Sequence, residues 1–450
     1  MKNIVRLFTF CSLMLALASC SKKNEEVKYT PSPGLGGDTW ASGPIDKWME
    51  DSLTKPYNIN VKYRWDPWEV NLGANLVPPE EKRIIPALEA MKRIWIDPYN
   101  AETGSDAFIR KYAPKQFIMV GSAEYLSNGN MLLGQAEGGK KIAMYVINNF
   151  SVTDIDALRQ MLHTIEHEFG HILHQTVMYP ETFKRITPDY TGTWFNMSMA
   201  EARSRGFATN YARSGPDDDF VETLSTMLIE GKNRWDELVT DQNPTAQAAL
   251  RRKEAVVVDY FKNTWKIDFY SLQARTQKAL NLLSPDTFEL TYGFDKVFKG
   301  AAYVPEHPRL PKSGLDFSAA FDSAAYRIDT LTKSSLIQTR VDAIIRSASV
   351  MELDVWVYSP ADKEQFVVAS YDFNYSKGAD GFYKFNFLKA NQQDGEFLIP
   401  YLKEMLDFFK NEQFKLSWYQ AFSPNNSLYP KVLFTPKQNS NKYFIGLAAR

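Results

Sequence analysis

The sequence predicts an α+β chain in two parts. Residues 38–305 form a mixed part of helices and strands with its chemistry on one helix, and residues 312–450 form a separate sheet-plus-helix part. Three observations predict this. Apolar residues recur at helical spacing along 80–95 and 153–175. Between those stretches, and again beyond 350, the spacing switches to two. Pro305, Pro308 and Pro311 then interrupt the chain where the two parts meet. A length of 450 residues is too great for one ordinary core.

The chain begins with targeting sequence. Lys2 and Arg6 precede an apolar run from Leu7 to Leu17, too short for a mature membrane span but suited to a signal peptide over residues 1–19. The run ends in Leu17-Ala18-Ser19-Cys20, which resembles a bacterial lipobox and implies lipidation of Cys20. Ser21, in place of Asp, resembles lipoproteins bound for the outer membrane. Cys11 leaves with the signal, so the mature chain is expected to carry no disulfide. Residues 20–37, with Pro31, Pro33 and a run of glycines, read as a tether.

The elements then follow in order. Pro78-Pro79 opens a helix over 80–95, with Pro86 as a potential kink. Short strands are predicted at 116–121, 131–135 and 141–148, separated by Ser127–Asn130 and Glu137-Gly138-Gly139 turns. Helices follow at 153–175, 217–231, 245–265 and 270–282. Beyond 350, alternation predicts strands at 352–358, 365–375, 382–388, 414–418, 431–434 and 442–445, with one helix at 396–409. The net charge of −1 offers no footprint for a nucleic-acid partner. The 29 Phe, 23 Tyr and 10 Trp suit large cores, and also sugar- or peptide-binding surfaces.

Five histidines occur, and four of them (His163, His167, His171 and His174) fall within twelve residues. On a helix they occupy an arc of about 80°. Leu158, Leu162, Ile165, Phe169, Ile172 and Leu173 take the opposite face. Residues four apart bring their Cβ atoms within about 5–6 Å, so His167 and His171 can converge on one tetrahedral zinc at about 2.0–2.1 Å. Glu168 leans toward the open position, where it can take a proton from bound water and return it to a leaving group. A solvated histidine-rich face or a non-catalytic metal site are the alternatives.

His174 lies about 10.5 Å along the axis from His167 and cannot share its ion on a straight helix. His163 has the right spacing, but pairing it with His167 would mis-aim Glu168. Both are therefore assigned to lining or supporting the site. A third ligand is expected from a later helix, and Glu222 is the candidate. Phe220, Leu224, Met227 and Leu228 would pack that helix back on the first, with the acids at 217–219 at its positive end. A merely solvated acidic face is the alternative.

His167-Glu168-Phe169-Gly170-His171 followed by Asp219-Phe220-Val221-Glu222 is similar to the gluzincin branch of zinc peptidases. The resemblance implies Glu222 as third zinc ligand and Tyr211 as a donor to the oxyanion, a core tyrosine being the other reading. Over roughly 40–290 the chain resembles the substrate import-associated zinc metallohydrolase lipoproteins. The lipobox, the His167–Gln175 run and the Asp219–Glu222 run carry that resemblance. It implies a zincin-like metallopeptidase domain, a Zn2+ cofactor, and a lipid-anchored peptidase beside an outer-membrane nutrient importer, acting on peptides or glycopeptides. One departure stands out: thermolysin-like enzymes place Asp four residues after the third ligand, where this chain has Thr226, so the partner of His171 is open. A lipoprotein that captures peptides or glycans around a structural zinc is the rival reading.

Overall fold

The computed structural model describes residues 41–449 apart from 67, 72, 126–130, 133, 138–140, 286–299, 306–308, 310–312, 314, 332–335, 360–361, 420–424 and 439–441. The signal segment, Cys20 and the tether lie outside the described residues. So do the Ser127–Asn130 turn, His307, Pro308 and Pro311. The chain divides into two units, Met1–Asp46 and Lys47–Arg450. Of the first, the described part opens a helix at Pro44.

The second unit is mixed helix and sheet, an α+β fold. Its first sheet has the order β1-β2-β6-β5. The strands are β1 (Asn60–Lys62), β2 (Gln116–Met119), β5 (Gly134–Glu137) and β6 (Lys141–Met144), while β3 (Glu124–Tyr125) and β4 (Met131–Leu132) pair apart as a two-stranded antiparallel sheet. β1, β2 and β6 run parallel, and β5 closes the edge antiparallel to β6. Phe117, Ile118 and Ile142 bury the strands against helices, which is why the sequence there is almost continuously apolar. The helix Glu81–Met91 accepts Pro86 in its interior and continues as a wider π turn over Lys92–Ile96.

The histidine helix, Ile155–Thr176, starts where the Asp154 carboxylate caps the backbone N–H groups of Asp156 and Ala157, each at 3.1 Å. Its predicted apolar face is buried. Phe169 meets Trp95, Tyr99 and Phe108 edge-on. β5 lies hard against this helix: a Cβ on Gly134 would come within 2.0 Å of the Thr164 Cγ2.

The acidic helix, Pro216–Thr240, crosses the histidine helix. Gly170 makes that crossing close, since a Cβ there would meet Leu224 Cδ2 and Val221 Cγ1 at 2.9 Å each. Gly231, at φ 77°, breaks the acidic helix. The carbonyls near the break are satisfied from the helix Phe269–Leu283. Gln273 Nε2 donates to Met227 O at 2.5 Å, and Gln277 Nε2 donates to Leu228 O and Ile229 O at 2.7 and 2.9 Å. Helices were predicted at 217–231 and 245–265. The structure extends the first past the break and ends the second as Pro244–Tyr260 with a π turn over Phe261–Trp265.

The C-terminal strands close into an eight-stranded barrel, ordered β10-β11-β12-β13-β14-β7-β8-β9. They are β7 (Gly300–Tyr303), β8 (Ile337–Ile345), β9 (Val350–Ser359), β10 (Asp362–Lys377), β11 (Tyr383–Asn391), β12 (Gln413–Trp418), β13 (Lys431–Pro436) and β14 (Phe444–Ala449). β7 precedes Pro305, and pairs with both β8 and β14. β7, β8 and the helix Leu315–Leu331 are not among the elements read from sequence. Phe317, Phe385, Phe409, Phe414, Phe434 and Phe444 fill the interior, so this barrel is a packed core. The predicted helix at 396–409 is two pieces, Gln392–Leu398 and Lys403–Asn411.

Candidate metal centre

The site forms where the histidine helix meets the first two turns of the acidic helix. His167 and His171, one turn apart, bring their Nε2 atoms to 3.2 Å. Asp218 Oδ1 lies 3.4 Å from His171 Nε2 and 3.9 Å from His167 Nε2. The three atoms therefore converge on one point. Ligands held tetrahedrally at about 2.0–2.2 Å would stand about 3.3–3.6 Å apart, so the residues fit a zinc ion.

Glu222 sits elsewhere than expected. Its Oε1 is 2.7 Å from His167 Nδ1 and 3.0 Å from His163 Nε2. The two nitrogens of one imidazole point away from each other, so a group on Nδ1 does not share an ion with His171 Nε2. Asp218 and Glu222 occupy one face of the acidic helix at i, i+4. Its first turn reaches the Nε2 pair, and its second reaches the far side of His167. Two groups of three could thus hold a cation: His167, His171 and Asp218, or His163, His167 and Glu222. In the second, 2.7 Å is the length of a charge-assisted hydrogen bond and is too short for two ligands of one tetrahedral ion.

The surrounding bonds orient each ring. With Nδ1–H of His167 donating to Glu222, its Nε2 lone pair is free toward the centre. Glu222 is itself held by Thr209, whose Oγ1 donates to Oε2 at 2.5 Å. Ser225 Oγ lies 3.2 Å from His163 Nε2. His171 Nδ1 lies 2.8 Å from Nε2 of the buried His174, which occupies the position behind His171 that the sequence left open. Thr226 Oγ1 is buried and makes no hydrogen bond. Ser214 Oγ donates to Asp218 Oδ2 at 2.6 Å.

The electrostatics favour a cation. Burial works against ionised Glu222, but the His163 and His167 rings outweigh it and hold its pKa well below the usual carboxylate range. Burial likewise opposes ionised Asp218, yet hydrogen bonds from His171 and Ser214 lower its pKa. Burial disfavours a charged His167, but Glu222, Glu168 and Asp218 together raise its pKa. Burial and the neighbouring His171 depress His174 to about 4, so it stays neutral. Glu168 is buried beside His167. Tyr211 flanks the site at the surface, its ring 5.7 Å from that of His167 and 4.9 Å from that of Trp194. Burial, with the charges of Asp218, Glu222 and Glu168, raises the Tyr211 pKa, so the phenol remains a proton donor.

Asp219 points the other way, and its role is anchorage. It is fully buried and paired with the equally buried Lys253 Nζ at 2.7 Å. Tyr190 and Thr187 also donate to Asp219, and Lys253 lies 4.2 Å over the Phe207 ring. This pair fixes the N-terminus of the acidic helix and thereby aims Asp218. Lys253→Met is expected to cost about 3–5 kcal/mol, because it strands a buried carboxylate. Denaturant unfolding measures this, and a loss below about 1 kcal/mol would contradict it.

Asp218, Thr209, Ser225 and Ser214 were not read as site residues. The available signal was the spacing of Asp218 and Glu222, which repeats that of His167 and His171. The Asp217–Asp219 run masked it as ordinary helix-start acidity.

An α+β fold with a histidine–carboxylate centre on two crossed helices defines a candidate metalloprotein. The chain belongs to the family described as "putative zinc-binding metallo-peptidase", which it matches over residues 38–270. A crystal structure of a putative zinc-binding metallo-peptidase from Bacteroides caccae is similar to it, at 30% identity over 54% of this chain and 96% of that one, with a TM-score of 0.48. No curated protein matches.

Proposed function

We propose that this chain is a lipid-anchored zinc peptidase whose ion is held by His167, His171 and Asp218. The observation that carries the reading is the convergence of those three atoms at 3.2, 3.4 and 3.9 Å, in a chain of a zinc-binding family. A zinc ion held there supplies Lewis acidity, which polarises a carbonyl and makes water more acidic. Glu168 takes the proton of the attacking water and delivers it to the leaving amine. Tyr211 donates to the carbonyl oxygen as it gains charge. Glu222 and His174 hold the two ligand rings in register. Support for a zincin-like substrate mode comes from β5, which pairs only with β6 among the described residues and lies beside the histidine helix. An extended peptide would add to that edge.

The test is cleavage of a mixed peptide library by purified chain. Activity is expected to vanish on chelation and return with zinc at one ion per chain. Full activity in chelator would overturn the metal reading. A zinc-loaded chain that binds peptides without cutting them would favour the capture lipoprotein instead.

The Leu17–Cys20 segment with Ser21 supports a lipid anchor in the outer membrane, and the place beside a nutrient importer rests on the resemblance to import-associated lipoproteins. Among the described residues no helix is long and apolar enough to cross a membrane. Cys20→Ser is expected to move the protein from the membrane to the soluble fraction of cells, and unchanged fractionation would refute the anchor.

A further inference from the structure

The outer face of the barrel carries a groove that the metal centre does not use. Val304, Thr339, Arg340, Trp356, Tyr358 and Phe366 line about 380 Å³ across β8, β9 and β10, within the size range of small-molecule sites. On β9, Leu353, Val355 and Val357 face the core, so Trp356 and Tyr358 face outward. Tyr358 pairs across the strands with Phe366, and Trp356 with Arg340. A register shift between Gln338 and Arg340 interrupts the β8–β9 pairing at this rung. Phe366 is 49% exposed, and its ring stands edge-on to Trp356 and Tyr358 at 6.0 and 5.9 Å.

The rings are held in place. Trp356 Nε1 donates to Asp342 Oδ2 at 3.1 Å, and Arg340 Nε donates to Asp342 Oδ1 at 2.6 Å. Asp342 is buried, so this carboxylate fixes both groups from beneath, and the guanidinium lies 5.3 Å from the Trp356 ring centre. The Arg340 and Asp342 charges cancel, which leaves the groove little pull on an ion. Open aromatic faces take up C–H surfaces, and the remaining guanidinium N–H groups and the Tyr358 hydroxyl meet oxygen acceptors. We infer that this groove binds a neutral oligosaccharide. Sugar rings present C–H faces to the aromatics and hydroxyls to Arg340 and Tyr358. A proline-rich peptide would also cover the rings, but its backbone carbonyls accept only and offer nothing to the Tyr358 oxygen as an acceptor.

The experiment is isothermal titration of the full chain with cello-, xylo-, manno- and malto-oligosaccharides, with proline-rich peptide as the competing probe. One neutral sugar series is expected to bind, quenching tryptophan fluorescence. Phe366→Ser and Trp356→Phe are each expected to weaken it about tenfold or more, consistent with loss of a ring contact of about 1.4 kcal/mol. Phe366 is exposed enough for its variant to fold, which unchanged thermal unfolding would verify. The inference is overturned if no neutral sugar binds at millimolar concentration, if both variants bind as well as the parent, or if only the proline-rich peptide binds.

Discussion

Glu168→Gln is expected to lower peptide turnover by about 10²–10⁴-fold, the usual loss when a positioned general base is removed. Zinc content should stay at one ion per chain. The expectation follows from where Glu168 sits: directly after His167 on the histidine helix, buried, with its charge felt at both His167 and Tyr211. Glutamine keeps the shape and some hydrogen bonding but cannot accept the proton. The effect should therefore fall on kcat rather than KM. Turnover within a factor of two of the parent, in a zinc-loaded sample, would remove Glu168 from the mechanism.

Asp218→Ala and Glu222→Gln should separate a ligand from its support. Removing Asp218 takes away one of the three converging atoms, and zinc retention after dialysis is expected to fall to near none. Glu222→Gln leaves those atoms in place. It weakens only the hold on His167 Nδ1 and on Nε2 of its neighbour His163. A partner of that kind is worth about 10–100-fold in metal affinity, so this variant should still bind zinc at saturating concentration. Competition with a chelating dye measures both. The reverse order, zinc lost from the Glu222 variant and kept by the Asp218 variant, would restore Glu222 as the ligand and displace Asp218. Circular dichroism controls for folding, since neither side chain belongs to the buried Asp219–Lys253 anchor.

The histidine helix was legible because its two faces differ so sharply. Apolar residues recur at helical spacing on one side, imidazoles crowd the other, and Asp154 stands at the start. The strands near 116–121 and 141–148 were legible as almost continuous apolar runs, and the acidic helix as an apolar face with an acidic start, whereas the one strand read at 131–135 is two, Met131–Leu132 and Gly134–Glu137, in different sheets. Other parts were not. Leu315–Leu331 is rich in Ala and Ser, which blunts its amphipathic pattern, although Phe317, Phe321, Ala324 and Ile328 are all buried. Closure of the barrel depends on β7, a four-residue strand (Gly300, Ala301, Ala302, Tyr303), three of them small, too short for a periodicity to register. Tyr211 was placed near the centre from resemblance, and its neighbour Thr209, which holds Glu222, carried no signal at all.

By itself the sequence determined the chemistry of the histidine helix. His167, Glu168 and His171 lie within one turn and a fraction, so their relative placement follows from the geometry of a single helix. It also determined that a carboxylate-bearing helix would answer them. Only the tertiary structure places Asp218, and not Glu222, beside the two Nε2 atoms. Asp218 and Glu222 are one turn apart on the same face, about 6 Å along the axis. The choice between them rests on how far the two helices slide when they cross. That slide is set by contacts distant in sequence: the missing side chain of Gly170 against Val221 and Leu224, and the buried Lys253 that draws Asp219 away from the centre. A shift of one turn there would exchange the positions of Asp218 and Glu222 against the histidine pair.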